Sequence, residues 1–250
     1  MKKKIGAIIE ARMSSSRLYG KVLMKVNRKP LLLHLIDRIK KAKKIDKIIV
    51  ATTTNPNDQK IVQFCKKNRI KFFRGSEDNV MERVMKAGKY FKIDIVVGIT
   101  GDCPLLDHNL ISLCLNTYLN NKADYVSNAN LRSYPDGMDV QVYSINSLKK
   151  SYRMTKSKED REHVTLHIRK NPKIFSIINI VAPNSLFYPK LGLTLDYYSD
   201  YILIKKIIEH FNKIKNTYFT CEDIINLYEK NNMFFNVNKN VKRNVIKIKN

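Results

Sequence analysis

Residues 11–21, A-R-M-S-S-S-R-L-Y-G-K, gather two arginines, a lysine, three serines and a glycine into one short stretch. They follow an apolar run at 5–9, short enough for a buried strand, and precede a helical pattern that begins at Leu31. Hydroxyls, backbone N–H groups and cations placed between a strand and a helix are suited to collecting an anion. Arg12, Ser14, Ser15, Ser16, Arg17, Gly20 and Lys21 are therefore read as a triphosphate-binding loop. The competing reading is a polar connector, since short motifs recur by chance. The loop is not of Walker type, because Val22 stands where Ser or Thr is needed, and no G-x-G-x-x-G is present.

Carboxylates able to work against those cations lie far downstream. Asp102, in G-D-C-P-L at 101–105, follows the most apolar segment of the chain. One carboxylate there suits Mg²⁺, which takes one or two carboxylates and completes its shell with water and phosphate oxygens. The other reading of Asp102 is a cap for the next helix or turn. A second carboxylate is offered by Asp196, in L-T-L-D at 193–196, or by Asp200, which is also placed to cap a helix from 201. His163, in R-E-H-V-T at 161–165, is read as a general base, a substrate contact or a structural histidine.

The elements that must hold these residues alternate between strand and helix, which implies an α/β fold with a mostly parallel sheet covered by helices. Strands are expected at 4–9, 47–51, 71–74, 94–100, 123–127, 140–143 and 175–181, with a short extended piece at 193–196. Helices are expected at 31–41, from about Gln59, and at 80–90, 109–120, 145–152, 162–170, 201–210 and 221–229. The strand at 94–100, apolar nearly throughout, is expected to be central and buried on both faces. Polar loops at 11–21, 52–58, 74–79 and 101–105 then fall where open α/β sheets bind ligands. No linker or repeat divides the chain. A single domain over 1–232 is expected, with an insertion near 130–175 and a basic tail or edge strand over 233–250.

Composition narrows the class. At 44% apolar residues, the 250-residue chain can bury a sizeable core. No apolar run reaches the roughly 20 residues of a membrane span, and the opening Met1-Lys2-Lys3-Lys4 lacks the rest of a signal peptide. A cytoplasmic protein is expected. The four cysteines, Cys65, Cys103, Cys114 and Cys221, are widely spaced and read as buried free thiols. The net charge of +25 points toward nucleic acid, but the lysines are dispersed and no nucleic-acid motif accompanies them.

These segments together resemble the SpsF-like cytidylyltransferases, relatives of the CMP-Kdo and CMP-acylneuraminate synthetases. The resemblance rests on the 11–21 loop, R-G-S-E-D-N-V at 74–80, G-D-C-P-L at 101–105 and A-D-Y-V-S-N at 123–128. It continues with P-D-G-M-D-V at 135–140, R-E-H-V-T at 161–165 and L-T-L-D-Y-Y-S-D at 193–200. It implies a Rossmann-like nucleotidyltransferase that moves CMP from CTP to an acceptor, a sugar acid or a phosphorylated small molecule, with Mg²⁺ as cofactor and a homodimer built near 133–170. By the same resemblance Arg12, Ser16, Arg17 and Lys21 hold phosphates, and Ala11, Thr52, Arg74 and Ser76, with Asp78 beside them, face base and ribose. Asp102 and Asp196 hold metal, and Asn128, Asp136, Gly137, Asp139 and His163 face the acceptor. The alternatives are the same fold with another nucleoside triphosphate, and a non-catalytic nucleotide- or RNA-binding module. Three departures from the family pattern stand out: Tyr19 in place of Pro, Gln141 in place of Glu, and Gly192 in place of Arg. The last removes a cation expected beside the acceptor.

Overall fold

Strand β1 (Ile5–Glu10) sends Ile5, Ala7 and Ile9 to one face of the sheet and Ile8 to the other, and all four are buried. Apolar side chains on both faces require cover on both, and this sets the architecture. The computed structural model describes residues 2–243. A small hairpin, β2 (Lys25–Val26) and β3 (Lys29–Pro30), follows the 11–21 loop and was not expected from the pattern. The main strands are β4 (Lys47–Thr53), β5 (Lys71–Gly75), β6 (Ile95–Thr100), β7 (Tyr125–Ser127), β8 (Gln141–Ser144) and β9 (Ile177–Asn179). They form one seven-stranded sheet in the order β5-β4-β1-β6-β8-β7-β9. The four strands from β5 to β6 are mutually parallel, β8 runs antiparallel to both β6 and β7, and β9 is parallel to β7. As expected, β6 is the middle strand.

The helices divide between the faces. Helix α1 (Leu31–Ile39) buries Leu31, Leu32, Leu35, Ile36 and Ile39, and each such side chain contributes about 1.5–3 kcal/mol on leaving water. With α2 (Gln59–Lys67), α4 (His108–Asn120), α8 (Tyr198–Lys213) and α9 (Cys221–Lys230) it covers the face that carries Ala7 and Ile9. Helices α3 (Val80–Tyr90), α5 (Ile145–Met154) and α7 (Leu166–Lys170) cover the face that carries Ile8 and Val96. The four cysteines are buried free thiols. No helix among the described residues is long and apolar enough to cross a membrane.

Several elements differ from expectation for local reasons. The helix expected at 162–170 is two short ones, α6 (Lys158–Glu162) and α7, because the backbone turns at His163–Val164, where Val164 has φ +25°. Residues 193–196 belong to no strand, with a bend at Thr194; an isolated bridge joins Asp136 to Gly192 instead. Helix α8 starts at Tyr198, so Asp200 lies inside the first turn rather than before it, and its carboxylate accepts from the amides of Asp196 and Tyr197. Residues Asn232–Asn238 form a 3₁₀ helix packed on α8 rather than an edge strand. The remainder of the tail or edge strand expected over 233–250, from 244 on, lies outside the described residues.

Candidate active site

Parallel pairing puts the carboxyl ends of β1, β4, β5 and β6 on one edge of the sheet. The loops at 11–21, 54–58, 76–79 and 101–107 therefore open there together. Because β8 is antiparallel to β6, with Gly98 opposite Gln141, the segment 128–140 that feeds β8 arrives at the same edge. The sequence placed these loops in one crevice, and the sheet register brings them there.

Within the 11–21 loop, the Met13 carbonyl accepts from the amides of Ser15 and Gly20 and closes a compact turn. The Met13 amide donates to Asp58 Oδ1 at 2.6 Å. Asp58 is fully buried, and its other oxygen accepts from the Thr53 amide and hydroxyl, so one carboxylate ties the 11–21 loop to the end of β4. Ala11 is buried against β4, its amide donating to the Ala51 carbonyl. Arg12, Ser16 and Arg17 are exposed on the crevice side of this frame, and Lys21 is buried. Tyr19 is exposed, with the Lys60 ammonium 5.8 Å from its ring centre, a contact at the outer limit of cation–π attraction.

Lys21 is the node of the site. Its Nζ donates to Asp102 Oδ2 at 2.7 Å and to Asp196 Oδ1 at 2.9 Å. Arg17 Nη2 donates to the same Asp196 oxygen at 2.6 Å. Burial alone would depress the Lys21 ammonium, but Asp102 and then Asp196 outweigh it and hold its pKa above the ordinary lysine value. Burial pushes the Asp196 carboxyl up, and Lys21 and Arg17 overcome that and hold it below its usual range. Glu10, at the end of β1, is driven to about 7 by burial, which outweighs Arg83, with Asp102 adding repulsion. Among the described residues no group of three or more His, Cys, Asp or Glu side chains is arranged to hold a metal. Two carboxylates from separate loops nevertheless converge on a single atom. That donor set fits a hard divalent cation whose other ligands are phosphate oxygens and water.

The neighbouring loops are held by the protein itself. Arg74 donates to the Thr53 carbonyl at 2.9 Å, the Asn55 carbonyl at 2.9 Å and Gln59 Oε1 at 3.2 Å, so its guanidinium clamps the loop after β4. Ser76 Oγ accepts from the Asn79 amide at 3.0 Å. Thr52 is fully buried, and its hydroxyl has no partner among the described residues. The sequence reading passed over Glu77, which accepts from the Ser14 hydroxyl and from Asn55 Nδ2 and lies 4.0 Å from Arg12. Nothing in its local spacing marks it, because its partners lie up to 63 positions away.

Of the residues expected on the acceptor side, Asp136 and Asp139 flank a cation the sequence reading also missed. Arg132 donates to Asp136 Oδ1 at 2.8 Å and approaches Asp139 Oδ2 at 3.3 Å. Burial, opposed by Arg132 and assisted by Asp136, raises Asp139 to about 6. Asn128 is buried, and both ends of its amide are used: Nδ2 donates to the Met138 carbonyl at 2.7 Å and Oδ1 accepts from the Val140 amide at 2.8 Å. These two bonds staple the loop from within. Gly137 sits at φ +102°, where a Cβ would lie 2.7 Å from the Leu193 carbonyl carbon, so the position demands glycine for packing. Gln141 Oε1 accepts from the hydroxyls of Thr165 and Tyr125. His163 is exposed at the end of α6, while His167, one turn on, packs inward beside Asp160 at 3.3 Å.

A model of the cytidylyltransferase family matches residues 6–244. An uncharacterised protein of Methanocaldococcus jannaschii is 38% identical over 240 residues, 96% of each chain. The spore coat polysaccharide biosynthesis protein SpsF of Bacillus subtilis is 30% identical, over 90% of this chain and 93% of its own. Among solved structures, a cytidylyltransferase from Leptospira borgpetersenii serovar Hardjo-bovis superposes with a TM-score of 0.88 at 30% identity, covering 98% of this chain and all of the other. A CMP:2-keto-3-deoxy-manno-octonic acid synthetase complexed with CTP shares the fold, with a TM-score of 0.64 at 15% identity over 83% of this chain and 99% of that one. With its seven-stranded α/β sheet and a cationic loop facing paired carboxylates, the chain belongs to the cytidylyltransferase family of CTP-dependent nucleotidyltransferases.

Proposed function

We propose that this enzyme transfers CMP from CTP to a sugar acid or a phosphorylated small molecule and releases pyrophosphate, supplying an activated precursor for a surface polysaccharide or glycoconjugate. The observation that carries the reading is the convergence of Asp102 and Asp196 on Lys21 Nζ beside Arg17. The acceptor's oxygen attacks the α-phosphorus. A new P–O bond forms, the bond to the α–β bridging oxygen breaks with its electron pair staying on pyrophosphate, and the acceptor's proton passes to water. Such a transfer needs position and charge neutralisation more than a covalent catalyst. Arg12 and Arg17 neutralise the triphosphate. Lys21 spends two donors on carboxylates and keeps the third for a phosphate oxygen. Asp102 and Asp196 would hold Mg²⁺, which supplies charge neutralisation at the α-phosphate and the attacking oxygen.

The reading assigns Ala11, Thr52 and Ser76 to the base and ribose side, where Arg74 fixes the 53–59 loop. Asp136 and Asp139 face the acceptor with Arg132 between them. The reading includes a homodimer formed through the segment near 133–170, and a cytoplasmic location. The test is pyrophosphate release with Mg²⁺, each of the four nucleoside triphosphates, and a panel of 3-deoxy-manno-octulosonate, an amino-sugar acid and sugar phosphates. Release is expected with CTP alone, and Asp102→Ala should lower it by about 10³-fold. Release at the unsubstituted rate in Asp102→Ala overturns the carboxylate assignment. Preference for another nucleotide, or no release with any acceptor, overturns the reading of the reaction.

A further inference from the structure

Gly192 removes a side chain, and a different residue fills the space. A Cβ built at 192 would collide with the guanidinium of Arg243, which reaches over from the C-terminal segment. Arg243 is largely buried there, its side chain 15% exposed. Its Nη2 donates to Asp200 Oδ1 at 2.5 Å and its Nη1 to the Thr194 carbonyl at 3.2 Å, while its Nε lies 3.7 Å from Asp136 Oδ2. Asn238, also buried, donates from Nδ2 to the same Asp200 oxygen at 2.7 Å and to the Gly192 carbonyl at 2.9 Å. Two side chains of the C-terminal segment thus converge on one carboxylate that is 1% exposed.

Asp200 passes that constraint on. Its other oxygen accepts from the Asp196 amide at 3.0 Å and the Tyr197 amide at 2.9 Å. Those bonds fix the backbone of the residue whose carboxylate meets Lys21 and Arg17. On the opposite side, the Asp136 carbonyl accepts from the Leu193 amide at 2.7 Å, and the Asp136 carboxylate faces Arg132 as well as Arg243. A buried carboxylate needs a cation and hydrogen bonds to stay ionised, and a forked guanidinium can serve two carboxylates at once. Arg243 is the group that touches both Asp200, which supports Asp196, and Asp136, which belongs to the acceptor loop.

We infer that Asn238 and Arg243 are positioning residues of the transfer reaction, with Arg243 fitting into the slot above Gly192 to lock the Asp196 segment and the Asp136 loop in register. The inference rests on the cytidylyl-transfer reading for its kinetic consequence but not for its structural one. The structural readout is hydrogen exchange. In Arg243→Ala the amides of Asp196 and Tyr197 should exchange about tenfold faster or more, with those of β1 and β4 unchanged. The kinetic readout is pyrophosphate release from CTP with whichever acceptor the panel identifies. Arg243→Ala should lower kcat by about tenfold, through the loosened Asp196 segment, and raise the acceptor KM by about tenfold, through the loosened Asp136 loop. Arg243→Lys, which keeps the charge and loses the fork, should shift both readouts in the same direction by less.

The slot supplies a sharper test. Gly192→Arg alone places a second guanidinium where Arg243 already lies and should lower activity. In the Arg243→Ala background the same substitution finds the slot open and should restore exchange and acceptor KM to within about threefold of the unsubstituted protein. A residue that merely anchors the tail would give additive losses instead. Additive losses in the double variant, or unchanged exchange at Asp196 and Tyr197 in both Arg243 variants, overturn the inference. If the unsubstituted protein releases no pyrophosphate, the transfer reading fails, and the exchange measurements alone decide this one.

Discussion

Lys21 and Asn128 are both buried polar side chains at the carboxyl edge of the sheet, 8% and 1% exposed, and they are used in opposite ways. Lys21 is bound to two carboxylates that belong to other loops, in contacts where a phosphate could claim the ammonium and a metal the carboxylates. Asn128 is bound to two backbone groups of its own loop, which nothing else can satisfy. The contrast extends to their surroundings. In the nucleotide half, Arg12, Arg17 and Lys21 each face a carboxylate, in contacts that ligand charge can replace. In the acceptor half, Asn128, Gly137 and the Gln141–Thr165 pair hold the backbone in shape. The loops proposed to hold the nucleotide store exchangeable charge; the segment proposed to face the acceptor sets its own ion pairs, Arg132 with Asp136 and Asp139, in a backbone mould.

The largest effect should come from breaking the exchangeable half at its node. Lys21→Met removes the cation from between Asp102 and Asp196 and leaves those carboxylates to repel each other. Turnover of CTP should fall by about 10³-fold, on the order of 4 kcal/mol of transition-state stabilisation. Steady-state kinetics beside a thermal melt check this, and a variant within about tenfold of the unsubstituted rate would remove Lys21 from the site. In the mould, Asn128→Ala should act on stability instead. It strands the Met138 carbonyl and the Val140 amide, each costing about 1–3 kcal/mol when buried without a partner. A loss of about 3 kcal/mol in urea unfolding is expected, with acceptor KM in the surviving folded enzyme changed little. A large KM effect without loss of stability would return Asn128 to direct contact with the acceptor.

The same contrast explains what was legible beforehand. The strands were readable because both-face burial imposes continuous apolar runs, and β6 at the centre of the sheet is the clearest case. The convergence of the 11–21 loop with Asp102 and Asp196 was readable because phosphate chemistry, on which the proposed reading rests, restricts residue type. Glu77 and Arg243 were not, because each acts through partners that only the fold brings near, Asp200 being 43 positions from Arg243; Arg132 has its partners four and seven positions on, but in a turn-rich stretch with no period to show that they face it. The break at His163 was hidden because charged residues common in helices precede it and a helical Leu166–Ile168 segment follows, and only the backbone turn at Val164 interrupts them. Gly192 looked like a lost cation; the space it leaves is occupied by one.

Glu10 allows a pH test of the nucleotide half. Its carboxyl is held near 7 in the folded state against about 4.5 when exposed, so the folded protein binds more protons than the unfolded chain between those values. Stability should therefore fall as pH rises from about 4.5 to about 7, with Asp139, raised to about 6, contributing in the same direction over the lower part of that window. Glu10→Gln removes the larger contribution. Its melting temperature should vary less between pH 5 and pH 8 than that of the unsubstituted protein, and at pH 8 it should be more stable by about 2 kcal/mol. A variant that is less stable at pH 8 would mean that the charge is needed there to hold Arg83.

Glu77 gives the smallest effect and the finest division between the halves. It accepts from the Ser14 hydroxyl and from Asn55, and it faces Arg12, so it holds the phosphate loop by the same kind of contact that a triphosphate would make. Those hydrogen bonds and the nearby cations keep its carboxyl below the usual range, so it is charged at every working pH. If it competes with phosphate for Arg12, Glu77→Gln keeps an acceptor for Ser14 while removing a charge that repels the nucleotide. At the roughly 4 Å separation of this pair in a solvated site, the interaction is worth about 1 kcal/mol or less. CTP binding measured by calorimetry should tighten by about two- to fivefold, and the gain should shrink as salt screens it. Weakening by about tenfold or more would show instead that the carboxylate holds the nucleotide directly, placing Glu77 with the fixed contacts of the mould rather than the exchangeable ones.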